Sequence, residues 1–254
     1  MKILFLTHLL PYPPDVGGYI RTYHLIRSLS RKNDVDLVTY LYHPDDRRHV
    51  TELARLCHSI DVLPLKRKMI FPYLLLSFLD RRPFWYLRDH SQAMAELIRK
   101  KLDSRQYDMI FQEQFQMAGY IPNHFNQGYR IYANIMIGEM ILDRYRVTQK
   151  NPLVKAIAWL ETKKIRAFEK KVCENADLTL TITDEDKAVL NRYGIPNNKL
   201  RTIPMGVDTS RFRPLDLNFN SKNIILLGLA RLPFNVEGIL YFYNVCRFQV
   251  LYYS

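Results

Sequence analysis

Short apolar runs recur along this chain, separated by longer stretches in which apolar residues return every three or four positions. The short runs are Ile3 to Thr7, Val35 to Tyr40, Ile60 to Pro64, Met109 to Phe111, Tyr129 to Ile135, Leu178 to Ile182 and Leu200 to Ile203. Their length, their β-branched and aromatic content and the turn-forming residues that bound them predict strands. Between them, Gly18 to Ser30 turns Ile20, Tyr23, Ile26 and Leu29 onto one side at helical spacing. Pro44 to Cys57, Asp89 to Leu102 and Asn151 to Asn175 also predict helices, the last a solvated amphipathic one rich in lysine, and Thr183 followed by Asp184, Glu185 and Asp186 predicts a capped helix start. Such alternation predicts an α/β fold, with a mostly parallel sheet covered by helices on both faces. Ligands in that architecture sit beyond the carboxyl ends of the strands.

The strand and helix pattern is complete by Ile203, and a second one starts after it. A strand at Asn223 to Gly228, an apolar helix-like run from Val236 and an aromatic tail follow. This is less than the ~50 residues an independent domain usually needs. The chain therefore divides into a Rossmann-like domain over residues 1–205, a linker over 206–222 and the opening of a further domain over 223–254.

The amino terminus pairs Lys2 with an apolar run, but it has no small-residue cleavage site, and Pro11, Pro13 and Pro14 cut the run short, so a buried first strand accounts for it better than a secretory signal. No segment reaches the ~20 apolar residues that span a bilayer, which leaves peripheral membrane contact. Hydrophobic residues at 48% and charged residues at 24% fit a globular protein rather than a disordered one. Thirty-seven basic against 25 acidic residues give a net charge of +12, which favours an anionic partner: a phosphate-bearing ligand, a membrane surface or nucleic acid. A nucleic-acid module lacks support, because there is no recognition-helix motif, zinc-finger spacing or RNA-binding aromatic signature. Cys57, Cys173 and Cys246 lie far apart without a CxxC pair, so reduced structural thiols are expected and neither a disulfide framework nor a metal site.

The loop Pro11-Tyr12-Pro13-Pro14-Asp15-Val16-Gly17-Gly18 is the strongest chemical candidate. Two glycines at a strand-to-helix junction let a ligand approach the backbone, and the helix behind them offers free amides and partial positive charge to an anion. Arg21, one turn in, could add a charge-assisted contact to phosphate. The plain alternative is that the glycines only make the turn and Arg21 is solvated. Glu113 could touch an acceptor or be an exposed loop carboxylate. Asn134 could face the cleft or cap the helix after it, and His8 could bind a ligand or be structural. From Lys66 to Tyr86 basic clusters flank an apolar, aromatic run, a layout for an anionic membrane surface in which Lys66, Arg67, Lys68, Phe71, Tyr73, Arg81, Arg82 and Trp85 would take part. A helix packed on the sheet with solvated basic ends explains it equally well.

The pattern PPxxGGxxR after a first strand, with Asp34-Val35-Asp36-Leu37-Val38 further on, resembles the amino-terminal domain of family 4 glycosyltransferases, which have the two-domain GT-B fold. Ile203-Pro204-Met205-Gly206-Val207-Asp208 with Phe212-Arg213-Pro214 resembles that family's interdomain signature, and Ile224 to Gly228 with Pro233 and Asn235-Val236-Glu237 resembles the opening of its donor-binding domain. Arg82-Pro83-Phe84-Trp85-Tyr86, Tyr107-Asp108-Met109-Ile110 and Met117-Ala118-Gly119-Tyr120 are similar to sugar transferases of exopolysaccharide and exosortase systems. The resemblance implies a retaining transfer from a nucleotide-sugar donor to a lipid-linked or polysaccharide acceptor, in the cytoplasm or at the inner face of the cell membrane, with no metal or other cofactor. It implies that Gly17 and Gly18 face the donor diphosphate with Arg21 as helper, and that His8, Glu113 and Asn134 are cleft candidates.

Three departures qualify it. Ala133 stands where relatives often carry a histidine, Met205 replaces the signature's asparagine, and the family's acidic donor motif has no counterpart. From Val245 onward the likeness stops, so truncation and weak or absent activity of this chain are expected. A non-catalytic membrane-surface or acceptor-binding module is the alternative.

Overall fold

The computed structural model describes residues 1–66, 68–122, 127–210, 212–213, 224–228 and 233–246. Among them, seven strands form one all-parallel sheet: β1 (Lys2–Leu9), β2 (Asp34–Leu41), β3 (Ser59–Pro64), β4 (Met109–Glu113), β5 (Tyr129–Ala133), β6 (Leu178–Thr181) and β7 (Leu200–Thr202). Their order across the sheet is β3-β2-β1-β4-β5-β6-β7. β1 is central and buried on both faces, which is why it reads as one unbroken apolar run.

Successive side chains of β1 point to opposite faces. Ile3 and Phe5 join a cluster with Ile26 of α1 (Gly17–Leu29) and Leu53 of α2 (Val50–Ala54), while Leu4 and Leu6 pack with residues of the helix before β4. Phe5 stacks on Phe111 of β4 at 4.6 Å between ring centres. After β3 come α3 (Ile70–Leu79), α4 (Phe84–Asp89) and α5 (Gln92–Ser104), and α5 turns Met94, Ile98 and Leu102 onto the second face. The helix expected over Asp89 to Leu102 is α5, which starts at Gln92 because His90 and Ser91 are extended between α4 and α5.

A short α6 (Phe115–Ala118) follows β4, and α7 (Gly138–Thr148) and α8 (Pro152–Asn175) connect β5 to β6. Asn151 caps α8 by accepting from the Leu153 amide at 2.8 Å, and Pro152 occupies the first helical position, where its missing N–H costs nothing. α8 is the amphipathic helix that its pattern predicts. One stripe, including Ala158, Ile165, Glu169 and Cys173, is buried, while Lys155, Lys163, Lys170 and Lys171 meet water, as do Leu153 and Trp159. α9 (Asp184–Arg192) is capped by Thr183, whose hydroxyl accepts from Asp186 N at 3.0 Å, with three acids in its first turn.

The chain forms two compact units, Met1–Gly206 and Val207–Ser254. The second contains α10 (Pro233–Tyr241), which continues as a π-helical turn at Phe242–Cys246. The strand expected at Asn223 to Gly228 is not found: Asn223 lies outside the described residues, and residues 224–228 join no ladder. A strand needs a neighbour for its N–H and C=O groups, and the described residues supply none to this segment.

Candidate functional site

Strand order reverses between β1, whose chain leads outward to β2, and β4 on its other side. The crevice beyond the carboxyl ends of two such strands is where doubly wound sheets bind ligands. Here those ends are Leu9 and Glu113, and the loop from Leu10 to Val16 carries the chain over them into α1.

Gly17 and Gly18 are the first two residues of α1 and have no left-handed φ, so glycine's conformational freedom is not used there. A Cβ at Gly18 would meet nothing within 4 Å, and one at Gly17 would only touch Met205 Cε at 3.7 Å. Neither turn-making nor packing therefore accounts for the pair. The contrast is Gly138, where a Cβ would overlap Ile165 of α8 and lie 2.8 Å from its Cγ1. No side chain caps α1, since Val16 occupies that position, and no acid stands in its first turn. The helix start accordingly presents backbone amides and the positive end of its dipole with no acid in its own first turn.

Arg21 is not solvated. It is buried, and its Nη1 donates to Glu113 Oε1 at 3.2 Å. Glu113 is not an exposed loop carboxylate either: it is fully buried at the end of β4, beneath α1. Thr7 Oγ1 donates to its Oε2 at 2.9 Å, and Thr22 Oγ1 lies 2.5 Å from the same oxygen and 2.9 Å from the Gly18 carbonyl. One carboxyl thus ties β1, β4 and the first turns of α1 together. Burial raises its pKa, against Thr22, Arg21 and Thr7, which favour the charged form, while burial lowers that of Arg21 against the pull of Glu113. Gln114, next in the chain, has φ 67° and ψ 150°, a region that costs a non-glycine residue about 1–3 kcal/mol. Its amide donates to the Ala133 carbonyl at 3.0 Å, joining the carboxyl ends of β4 and β5.

His8 is buried at the end of β1, edge-on to Tyr40, with Nε2 3.6 Å from Asp89 Oδ2. Asp89 in turn accepts from Arg88 Nε at 2.8 Å. Asp89 and Arg88 escape sequence reasoning, because they lie some eighty positions from His8 on a separate helix. Asn134 is buried after β5. It does not cap α7, whose cap position is Ile137; instead its Oδ1 accepts from the Met136 amide at 3.0 Å and fixes the turn before the helix. The start of α7 is met by Glu169 of α8, whose Oε1 accepts from Gly138 N at 3.0 Å. Burial pushes the Glu169 carboxyl up to about 7, against the Gly138 amide and the Asn134 side chain. Ala133 is fully buried.

The 66–86 segment divides. Phe71, Lys66, Arg81 and Arg82 are exposed, Arg82 in a forked pair with Asp80 at 2.7 Å, and Arg67 lies outside the described residues. Tyr73 and Trp85 are partly buried, each with one side packed on the core, Trp85 stacked near Phe115. Lys68 is drawn inward, donating to the His90 carbonyl at 2.6 Å, because that turn leaves a carbonyl for a cation to satisfy. Among the described residues no group of three His, Cys, Asp or Glu side chains could hold a metal ion.

A seven-stranded parallel sheet with its reversal beside an uncapped, glycine-started helix defines a Rossmann-like domain of the GT-B kind. The model of the family described as Glycosyltransferase Family 4 matches residues 143–211, which include α8, β6, α9, β7 and the Ile203 to Asp208 segment, and relates the chain to that family. The glycine loop lies outside the matched stretch and stands on its geometry.

Among solved structures, sucrose-phosphate synthase from Thermosynechococcus elongatus is similar over 85% of this chain and 50% of its own, with 16% identity and a TM-score of 0.53. Alr3699/HepE of Anabaena, solved with UDP and glucose, is similar over 83% and 46%, at 12% identity and a TM-score of 0.49. Arabidopsis thaliana UGT89C1, solved with UDP, is similar over 81% and 49%, at 14% and 0.43. The chain thus spans about half the length of these structures. No curated protein matches the sequence.

Proposed function

We propose that this chain is the acceptor-side half of a retaining glycosyltransferase that moves a sugar from a nucleotide diphosphate donor to a lipid-linked or polysaccharide acceptor in cell-surface glycan synthesis, in the cytoplasm or at the inner face of the cell membrane. The observation that carries the reading is the pair of glycines at the start of α1, unexplained by turn or packing, at the sheet's switch point. Their amides are suited to a diphosphate, and charge that grows on the leaving diphosphate is the quantity such a reaction must stabilise. In the transfer the bond from the anomeric carbon to the diphosphate oxygen breaks, an acceptor oxygen bonds to that carbon, and the departing phosphate takes the acceptor's proton. Arg21 lies one turn into the helix with its charge paired to Glu113, and Glu113 holds Arg21 and the helix in register. His8, oriented by Asp89, and Asn134 are the neighbouring groups for the acceptor. The helix amides are the groups assigned to the diphosphate charge.

Calorimetric titration of the 254-residue chain with UDP, GDP and their sugars, beside a Gly17→Val, Gly18→Val variant, tests this. Micromolar binding of one nucleotide that the variant loses is expected. Absent binding, or equal binding by both chains, would overturn the assignment of the diphosphate to this loop.

A further inference from the structure

α3 inverts the usual arrangement of a surface helix. It buries its serine, Ser77, whose hydroxyl turns back to the Leu74 carbonyl at 2.7 Å, and it leaves Ile70, Phe71, Leu75, Phe78 and Leu79 to solvent. Leu79 is 90% exposed and Phe71 68%. Isolated apolar side chains on a surface need no explanation, but a run of them on one ten-residue helix does. The orientation is anchored rather than loose: Tyr73 packs on the core, and Lys164 of α8 donates to the Ser77 carbonyl and lies 5.8 Å from the centre of the Phe78 ring.

The helix has no charged residue of its own, yet exposed basic residues stand at both ends, Lys66 before it and Arg81 and Arg82 after it, Arg82 in its pair with Asp80. It follows β3, so it leaves the sheet at the carboxyl edge, where the glycine loop also lies. Lys68, at its start, is bonded to the backbone of His90, the residue after Asp89, the partner of His8.

We infer that α3 is an interfacial anchor that lies in the surface of an anionic lipid bilayer, its Phe and Leu side chains among the acyl chains and Lys66, Arg81 and Arg82 at the head groups. Charge decides the occupant. In a symmetric pairing of two copies through α3 the basic ends of one would meet the basic ends of the other, whereas an anionic bilayer offers an apolar interior under negative head groups. No helix of the described residues is long and apolar enough to cross a membrane, so contact through α3 is peripheral. The inference does not depend on the transfer reaction.

Co-sedimentation of the 254-residue chain with vesicles of phosphatidylcholine alone, and with vesicles about a third phosphatidylglycerol, reads it directly. Binding at least about tenfold stronger to the anionic vesicles, weakened by added salt, is expected. Phe71→Glu with Leu75→Glu and Leu79→Glu, all at exposed positions, should lose that binding about tenfold or more while keeping the wild-type circular dichroism. Lys66→Gln with Arg81→Gln should lower binding to anionic vesicles and leave the weaker binding to neutral ones. Equal binding to both vesicles, binding to neither, or full binding by the triple variant would overturn the inference. So would a wild-type dimer that the triple variant abolishes, in a chain that ignores vesicles.

Discussion

Replacing Gly17 and Gly18 by alanine should move stability and nucleotide binding in opposite directions. A methyl at Gly18 enters open space and one at Gly17 touches only Met205 Cε at 3.7 Å, so neither is opposed by packing. Both residues already have helical φ, and alanine is favoured over glycine by roughly 0.8–1 kcal/mol in a helix interior, less in a first turn. The double variant should therefore gain about 1 kcal/mol, which for a domain of this size raises Tm by about 2–4 °C. The same two methyls would stand between the helix amides and a phosphate. A hydrogen bond to a charged group contributes about 1.5–3 kcal/mol, so losing one weakens diphosphate binding by roughly 10- to 150-fold. Scanning calorimetry and titration with UDP and GDP on the same preparations give both signs. A destabilised variant would show that the glycines serve the fold, and a stabilised variant that binds as wild type does would show that the amides meet no diphosphate.

Truncation of the buried carboxyl in Glu113→Ala should cost about 3–5 kcal/mol in urea unfolding by stranding Arg21, and adding Arg21→Met should recover much of it; additive losses would mean that the two do not act as a pair. Glu169 has a folded-state pKa of about 7 against an ordinary 4.5, so its contribution is full below about pH 4.5 and is lost as pH rises through 7. The loss amounts to about 3 kcal/mol, and Glu169→Gln, which keeps an acceptor for Gly138 N, should be the more stable chain at pH 8 but not at pH 5; an equal pH slope in the two chains would refute this. Gly138→Ala should cost about 1–3 kcal/mol by driving a methyl into Ile165, with part of it returned by Ile165→Val, whereas an undisturbed melting curve would show that α7 and α8 separate freely.

Local pattern made the strands and the capped helices legible. β1 is a continuous apolar run because both its faces are covered, and Asn151-Pro152 and Thr183 with three acids announce the starts of α8 and α9 through contacts within a few residues. The same local view could not place side chains whose surroundings come from far away in the chain. Sequence left Glu113 open between an acceptor contact and an exposed loop acid, and Arg21 between a phosphate contact and a solvated side chain, because 92 positions of chain separate two groups that form one buried pair.

Periodicity and capping are encoded over one to four residues, so the sequence by itself determined the α/β class, the seven strands of the sheet and the glycine-started helix after β1. It also carried the stretch over 143–211 that relates the chain to the family 4 glycosyltransferases. The order β3-β2-β1-β4, the meeting of His8 with Asp89 and of Met205 with Gly17, and the outward roll of α3 were decided only by the tertiary structure. Each depends on which strands pair and which face a helix turns inward, choices settled by summed burial across the whole sheet.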